Sequence, residues 1–84
     1  MANKTTILLV DDHALVRRGF RRMLEDEASF QVVGEASDGL EAVKRAVELR
    51  PNVIVMDCAL PQINGIEASR RILGKLPEDR KSVV

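Results

Sequence analysis

Short uninterrupted apolar runs alternate along this chain with longer segments in which apolar residues return every three or four positions. Residues 6–10 read TILLV and are ended by Asp11 and Asp12, the pattern of a strand covered on both faces in a parallel sheet. Over residues 13–27 the apolar positions Leu15, Val16, Phe20, Met23 and Leu24 recur at helical spacing, with Arg17, Arg18, Arg21 and Arg22 on the other side. This predicts an amphipathic helix with a solvated basic face. A weaker strand is expected over 31–36 (QVVGEA), and Asp38-Gly39 marks the start of a second helix whose apolar positions are Leu40, Val43 and Val47 and which Pro51 closes. Residues 53–56 (VIVM) repeat the first pattern, a buried strand running into Asp57. Pro61 and Asn64-Gly65 form a turn-rich loop before a third helix over 66–76, with Pro77 after it, and 81–84 open a fourth strand.

Strands alternating with helices of this length predict an α/β domain built from βαβ units of about 30 residues or more. Three such units fit in 84 residues, which is one domain and too little for two. Right-handed crossovers place helices on both faces of the sheet, and a strand order 2-1-3 sets the ends of the first and third strands side by side. Asp11, Asp12 and Asp57 then share one crevice, whereas an order 1-2-3 would separate them.

Composition narrows the function classes. Hydrophobic residues make up 45% of the chain and charged residues 31%, which suits a folded globular domain. Thirteen basic and thirteen acidic residues cancel, so the chain lacks the positive field that nucleic-acid binding requires. Two Phe and no Trp or Tyr leave no stacking platform for bases. The lone Cys58 cannot form an internal disulfide and is read as a small packing residue, which fits a reducing, cytoplasmic setting. The apolar run after Met1 is too short to span a bilayer, and no membrane association is expected.

Three carboxylates at one sheet edge repel each other unless a cation neutralises them or some take up protons. Mg²⁺ is the simplest resolution, since it accepts one or two carboxylates, an occasional backbone carbonyl and several waters, commonly facing phosphate oxygens. Asp57, at the end of a buried strand with a loop after it, is the candidate nucleophile for phosphoryl transfer. The plainer alternative is that Asp11 and Asp12 cap the first helix and Asp57 merely ends a strand. His13 is read as a polar first-turn residue with no assigned chemistry.

The segments ILLVDDH at 7–13, VGEASDG at 33–39 and VIVMD at 53–57, followed by Leu60-Pro61 and Asn64-Gly65, resemble the receiver domain of two-component response regulators. The closest likeness is to receivers that precede a LuxR-type helix-turn-helix output domain. The resemblance runs from Thr6 to Val84 without insertions. It implies a flavodoxin-like (CheY-like) doubly wound parallel sheet in the order 2-1-3-4-5, of which residues 1–84 would supply 2-1-3 and the start of strand 4. It implies that Asp57 is the phosphoacceptor, that Asp12 ligates Mg²⁺ directly, that Asp11 does so directly or through water, and that the carbonyl of Ala59 is a further ligand. The partner implied is a histidine kinase or histidine phosphotransfer protein, and the output domain is expected outside this chain. The chain is expected to be a switch rather than an enzyme, with at most slow self-dephosphorylation.

The family's Ser or Thr at the end of strand 4 and Lys at the end of strand 5 have no counterpart in these residues. The expectation is therefore an N-terminal portion of a receiver, whose uncovered sheet could pair with another copy by dimerisation or segment swapping. Three other functions compete with this one. A haloacid-dehalogenase-type phosphatase also uses an aspartate nucleophile and Mg²⁺, but needs a second Asp two residues on, where this chain has Ala59. A phosphorylation-incompetent structural or dimerisation module would not need Asp12 and Asp57 as ligands. A nucleotide-binding site would need a glycine-rich phosphate loop after the first strand, which is missing.

Overall fold

The computed structural model of the chain describes residues 4–56 and 65–75. Its elements follow in the order β1 (Thr5–Val10), α1 (Ala14–Glu25), β2 (Phe30–Ala36), α2 (Gly39–Leu49), β3 (Val53–Met56) and α3 (Gly65–Lys75). The three strands form one sheet in the order β2-β1-β3, with β1 parallel to both neighbours. The expected α/β class and the 2-1-3 order are both met. The fourth strand expected over 81–84 lies outside the described residues.

β1 is central, so its side chains are enclosed from both faces, and Ile7, Leu8, Leu9 and Val10 are all at most 2% exposed. Successive strand residues point to opposite faces. Leu8 and Val10 join Ala36, Ala42, Ala46, Ile54, Met56, Ala68 and Ile72 in a core beneath α2 and α3, leaving Ile7 and Leu9 to the α1 face. In β2 the register changes between Ile7 and Leu8, where Ile7 pairs with Val32 but Leu8 pairs with Gly34.

Both first helices depart from the expected apolar faces. In α2 the residues turned to the core are Gly39, Ala42 and Ala46, with Val43 and Leu49 packed at the margin, while Leu40 and Val47 are exposed. Small side chains let the helix lie close to the sheet, so the alanine row wins over the larger Leu40–Val47 row. In α1 no residue is buried, and Leu15 and Met23 are 80% and 68% exposed. The half-buried positions are Arg17, Arg21 and Leu24, so part of the row expected to be solvated is the row that approaches the sheet.

The element ends are set by local chemistry. Asp38 caps α2 by accepting from the Glu41 amide at 2.8 Å, and the Glu41 carboxylate reaches back to accept from the Ser37 amide at 2.8 Å, a reciprocal arrangement close to a capping box. α2 ends with Arg50 in the left-handed region (φ 47°, ψ 57°), its amide donating to the Ala46 carbonyl, and Pro51 prevents continuation. The starts of β1 and β3 are joined by a ring of hydrogen bonds. The Thr6 amide and hydroxyl both donate to Asn52 Oδ1 at 2.9 Å, and the Asn52 amide donates to Thr6 Oγ1 at 2.9 Å.

Two stability changes are expected. Asn52→Ala removes the acceptor of two partly buried donors and should cost about 1–3 kcal/mol, read as a lower urea midpoint with unchanged slope. A Cβ on Gly34 would stand 2.5 Å from Leu49 Cδ1 and 3.5 Å from Leu8 Cδ1, so Gly34→Val should force Leu49 aside and cost about 1–3 kcal/mol by the same measurement.

Candidate functional site

β1 delivers its chain to the carboxyl edge of the sheet at Asp11, the one buried polar or charged residue among those described. Each part of Asp11 is engaged. Its amide donates to the Ala36 carbonyl at the end of β2 (3.1 Å), its Oδ1 accepts from the His13 amide (2.8 Å), and its carbonyl accepts from Arg17 Nη1 (2.6 Å). An aspartate that accepts from the amide two residues on makes a local turn, and this turn carries the chain from strand to helix. His13 is the N-cap of α1 and makes no side-chain cap bond. The N-cap of the first helix is therefore neither Asp11 nor Asp12, and Asp11 instead makes the turn that precedes it.

Asp12 is more open, its side chain 33% exposed against 13% for Asp11. The His13 imidazole lies between them, with Nδ1 at 3.2 Å from Asp11 Oδ1 and 2.9 Å from Asp12 Oδ1. One ligand atom from each of Asp11, Asp12 and His13 falls within 4.8 Å of the others, so the three groups form a donor cluster of the size a metal ion spans. His13, read from sequence as a bystander, is part of this cluster. The adjacency of Asp11, Asp12 and His13 was the available signal, but it did not say which way the ring would turn.

A second layer of charge stands beside the cluster. Arg17 Nε donates to Glu35 Oε1 at 2.7 Å, and Arg21 Nη1 donates to Glu35 Oε2. Burial pushes the Glu35 carboxyl toward its neutral form and is the largest single influence on it. The hydrogen bonds from Arg21 and then Arg17, with their charges, together outweigh burial and hold its pKa below the ordinary 4.5. Donating this hydrogen bond to Glu35 holds the Arg21 guanidinium above its usual range. Two of the four arginines expected on a solvated face are thus fixed to the sheet, while Arg18 and Arg22 are exposed. The spacing of Arg17 and Arg21 one helical turn apart was visible in the sequence; their common acceptor, Glu35, was not.

Of the sequence-predicted site residues, Asp11 and Asp12 are brought together at the sheet edge. Asp57 and the Ala59 carbonyl lie outside the described residues, as does Cys58. The described residue nearest to them in sequence is Met56, which pairs with Val10 and accepts a hydrogen bond on Sδ from the Ser69 hydroxyl of α3 at 3.7 Å.

A parallel sheet in the order 2-1-3 with acidic residues at its carboxyl edge is the arrangement of a signalling receiver, and comparison with known proteins agrees. Residues 7–83 match the response regulator receiver domain model, and the chain belongs to that family, the receivers of two-component systems. It is 50% identical over 72 residues to the response regulator GacA of Pseudomonas viridiflava, covering 86% of this chain and 34% of that protein. It is 46% identical over 74 residues to the transcriptional regulatory protein LiaR of Bacillus subtilis, covering 88% and 35%. Among solved structures, the response regulator domain of Thermotoga maritima CheB matches with a TM-score of 0.87 at 44% identity, over 89% of this chain and 56% of that one. A LuxR-family response regulator from Aurantimonas matches with a TM-score of 0.82, also at 44% identity, over 86% and 51%. The chain spans about a third of the length of these curated relatives. Receiver domains generally act as switches in two-component signalling and interact with histidine kinases and phosphotransfer proteins. Among the described residues no helix is long and apolar enough to cross a membrane.

The ion pairs of Glu35 set a pH dependence. Its native pKa is depressed below 4.5, so the stability it contributes is fully present above that value and is lost as pH falls through the lower native value. Glu35→Gln should be less stable than the unsubstituted protein at neutral pH, and the gap between their urea midpoints should close as pH falls below the ordinary carboxylate range.

Proposed function

We propose that this chain is the phosphoacceptor part of a response regulator, taking a phosphoryl group from a histidine kinase or histidine phosphotransfer protein onto Asp57. The observation that carries this reading is the in-register pairing of β1 with β3 up to Val10 opposite Met56. The chain leaves both strands at one edge, and the next residues in sequence are Asp11 on one side and Asp57 on the other. One Oδ of Asp57 attacks the phosphorus as its bond to the histidine nitrogen of the donor breaks. An aspartyl phosphate forms, and the released imidazole keeps the electron pair.

The donor set at the edge suits a hard divalent cation. Asp12 is partly open, Asp11 keeps Oδ2 beyond its bond to the His13 amide, and carboxylate oxygens are what Mg²⁺ prefers. Asp11, Asp12, Asp57 and the carbonyl of Ala59 would hold Mg²⁺. The ion supplies positive charge against the oxygens of the transferring group. The chain's own residues orient the carboxylates, and the His13 imidazole lies between Asp11 and Asp12 with Nδ1 within reach of both. Residues 1–84 are read as an N-terminal part of the receiver, with a transcription-regulating output domain in the longer protein and a cytoplasmic location. The chain itself is a switch with no enzymatic turnover beyond slow self-dephosphorylation.

A second reading is favoured by one observation. Leu15, Val16, Phe20 and Met23 lie exposed along α1, an apolar face of the kind that associates. In this reading the chain is a phosphorylation-independent dimerisation module.

Intact mass before and after incubation with Mg²⁺ and a small acyl phosphate separates the two. A single phosphoryl adduct is expected, absent without Mg²⁺ and absent in Asp57→Asn, which is nearly isosteric. An adduct that persists in Asp57→Asn overturns the assignment of the phosphoacceptor. No adduct on the unsubstituted chain, together with a dimer in sedimentation, would leave the second reading.

A further inference from the structure

We infer that Arg17 is a positioning residue for the acidic site, acting on the Asp11–Asp12 peptide and itself aimed by Glu35. The inference rests on the metal-binding reading above and assigns within it a role to a residue that touches no phosphoryl group. Arg17 Nη1 donates to the Asp11 carbonyl at 2.6 Å while its Nε donates to Glu35 Oε1 at 2.7 Å. One planar guanidinium therefore spans from the last residue of the strand's exit to β2, and its fork geometry fixes both bonds at once. The same arginine's amide donates to the His13 carbonyl at 2.8 Å, and the Nη1 contact closes the seven residues 11–17 into a loop.

The consequence is local. The Asp11 carbonyl belongs to the peptide whose nitrogen is that of Asp12, so holding that oxygen sets the plane from which the Asp12 side chain departs. With the Asp11 amide held by Ala36 and Oδ1 by the His13 amide, Arg17 supplies the remaining restraint on the turn. Its charge also has to be managed, because a guanidinium free to rotate would pair with the Asp11 or Asp12 carboxylate and compete with a cation. Glu35 prevents this by taking Nε, and Arg21, on the other oxygen of Glu35, keeps that carboxylate in place. Arg21 makes no contact with Asp11 among those observed, and this separates the two arginines experimentally.

The test compares Arg17→Met with Arg21→Met in the 84-residue chain. Each removes one partner of Glu35, so both should lose stability. Two readouts distinguish positioning from simple docking of α1. Without metal, exchange of the His13 backbone amide, followed by NMR, should accelerate about tenfold in Arg17→Met and stay near the unsubstituted rate in Arg21→Met. With Mg²⁺ titrated and followed on the amides around Asp12, the dissociation constant should rise about tenfold in Arg17→Met and little in Arg21→Met. Unchanged exchange and affinity in Arg17→Met, or equal losses in both variants, would overturn the inference. If the unsubstituted chain binds no Mg²⁺, the metal reading fails, while the amide-exchange comparison still decides whether Arg17 holds the turn. Should Arg17→Met not fold, Arg17→Lys carries the same comparison, because it keeps the charge beside Glu35 but has one donor centre that cannot serve both acceptors.

Discussion

The described residues are arranged around one strand whose last four positions have no solvent side. β1 pairs with β2 along one edge and β3 along the other, and four of its successive residues are enclosed on both faces. Over those four residues the strand must be apolar and must have every backbone polar group paired, because an unmet buried hydrogen bond costs about 1–3 kcal/mol. Polarity can return only where the strand ends. Asp11 is that point, and its amide still finds the last carbonyl of β2 before the chain turns away. The acidic site is therefore placed by the same requirement that fixes the core, and no separate element is needed to present it.

The site is held by charges that lie next to it as well as by those within it. Exposed ion pairs contribute little to stability, but Glu35 and its two arginines are partly sheltered, and they join the first helix to the second strand at the edge where Asp11 leaves the sheet. α2 and α3 press alanines and Ile72 onto the sheet, whereas α1 buries no residue of its own and adds the ion pairs of Arg17 and Arg21 to its cover of the sheet.

Much of this was legible in the residues. The uninterrupted runs at 6–10 and 53–56 specify strands covered on both faces, and strand, helix, strand in sequence with right-handed crossovers leaves few topologies, of which 2-1-3 is the one observed. The motifs around Asp11, Asp12 and Asp57 identified the family. What could not be read was which side of an amphipathic helix faces inward when both sides carry apolar groups. Leu40 and Val47 are the larger residues of α2, yet the Ala42–Ala46 row is buried, because contact distance and not side-chain size governs a helix laid on a sheet. In α1 the arginines at 17 and 21 looked like a hydrated surface, since their acceptor lies in another element and sequence periodicity reports only on neighbours along the helix.

The change of register in β2 has a consequence for where charge can reside. Val32 stands opposite Ile7 and Gly34 opposite Leu8, so one extra residue is accommodated between them. In a strand the side-chain direction is a parity, odd positions to one face and even to the other, and an inserted residue inverts that parity for everything after it. As built, Glu35 shares a face with Leu9 and meets the arginines of α1. Had the pairing continued without the insertion, Glu35 would stand opposite Val10, and its carboxylate would point among Ala42, Ala46 and Ile72 in the apolar interior. A single-residue phase shift at Val33 is thus what keeps an acid out of the oil and hands it to the basic helix.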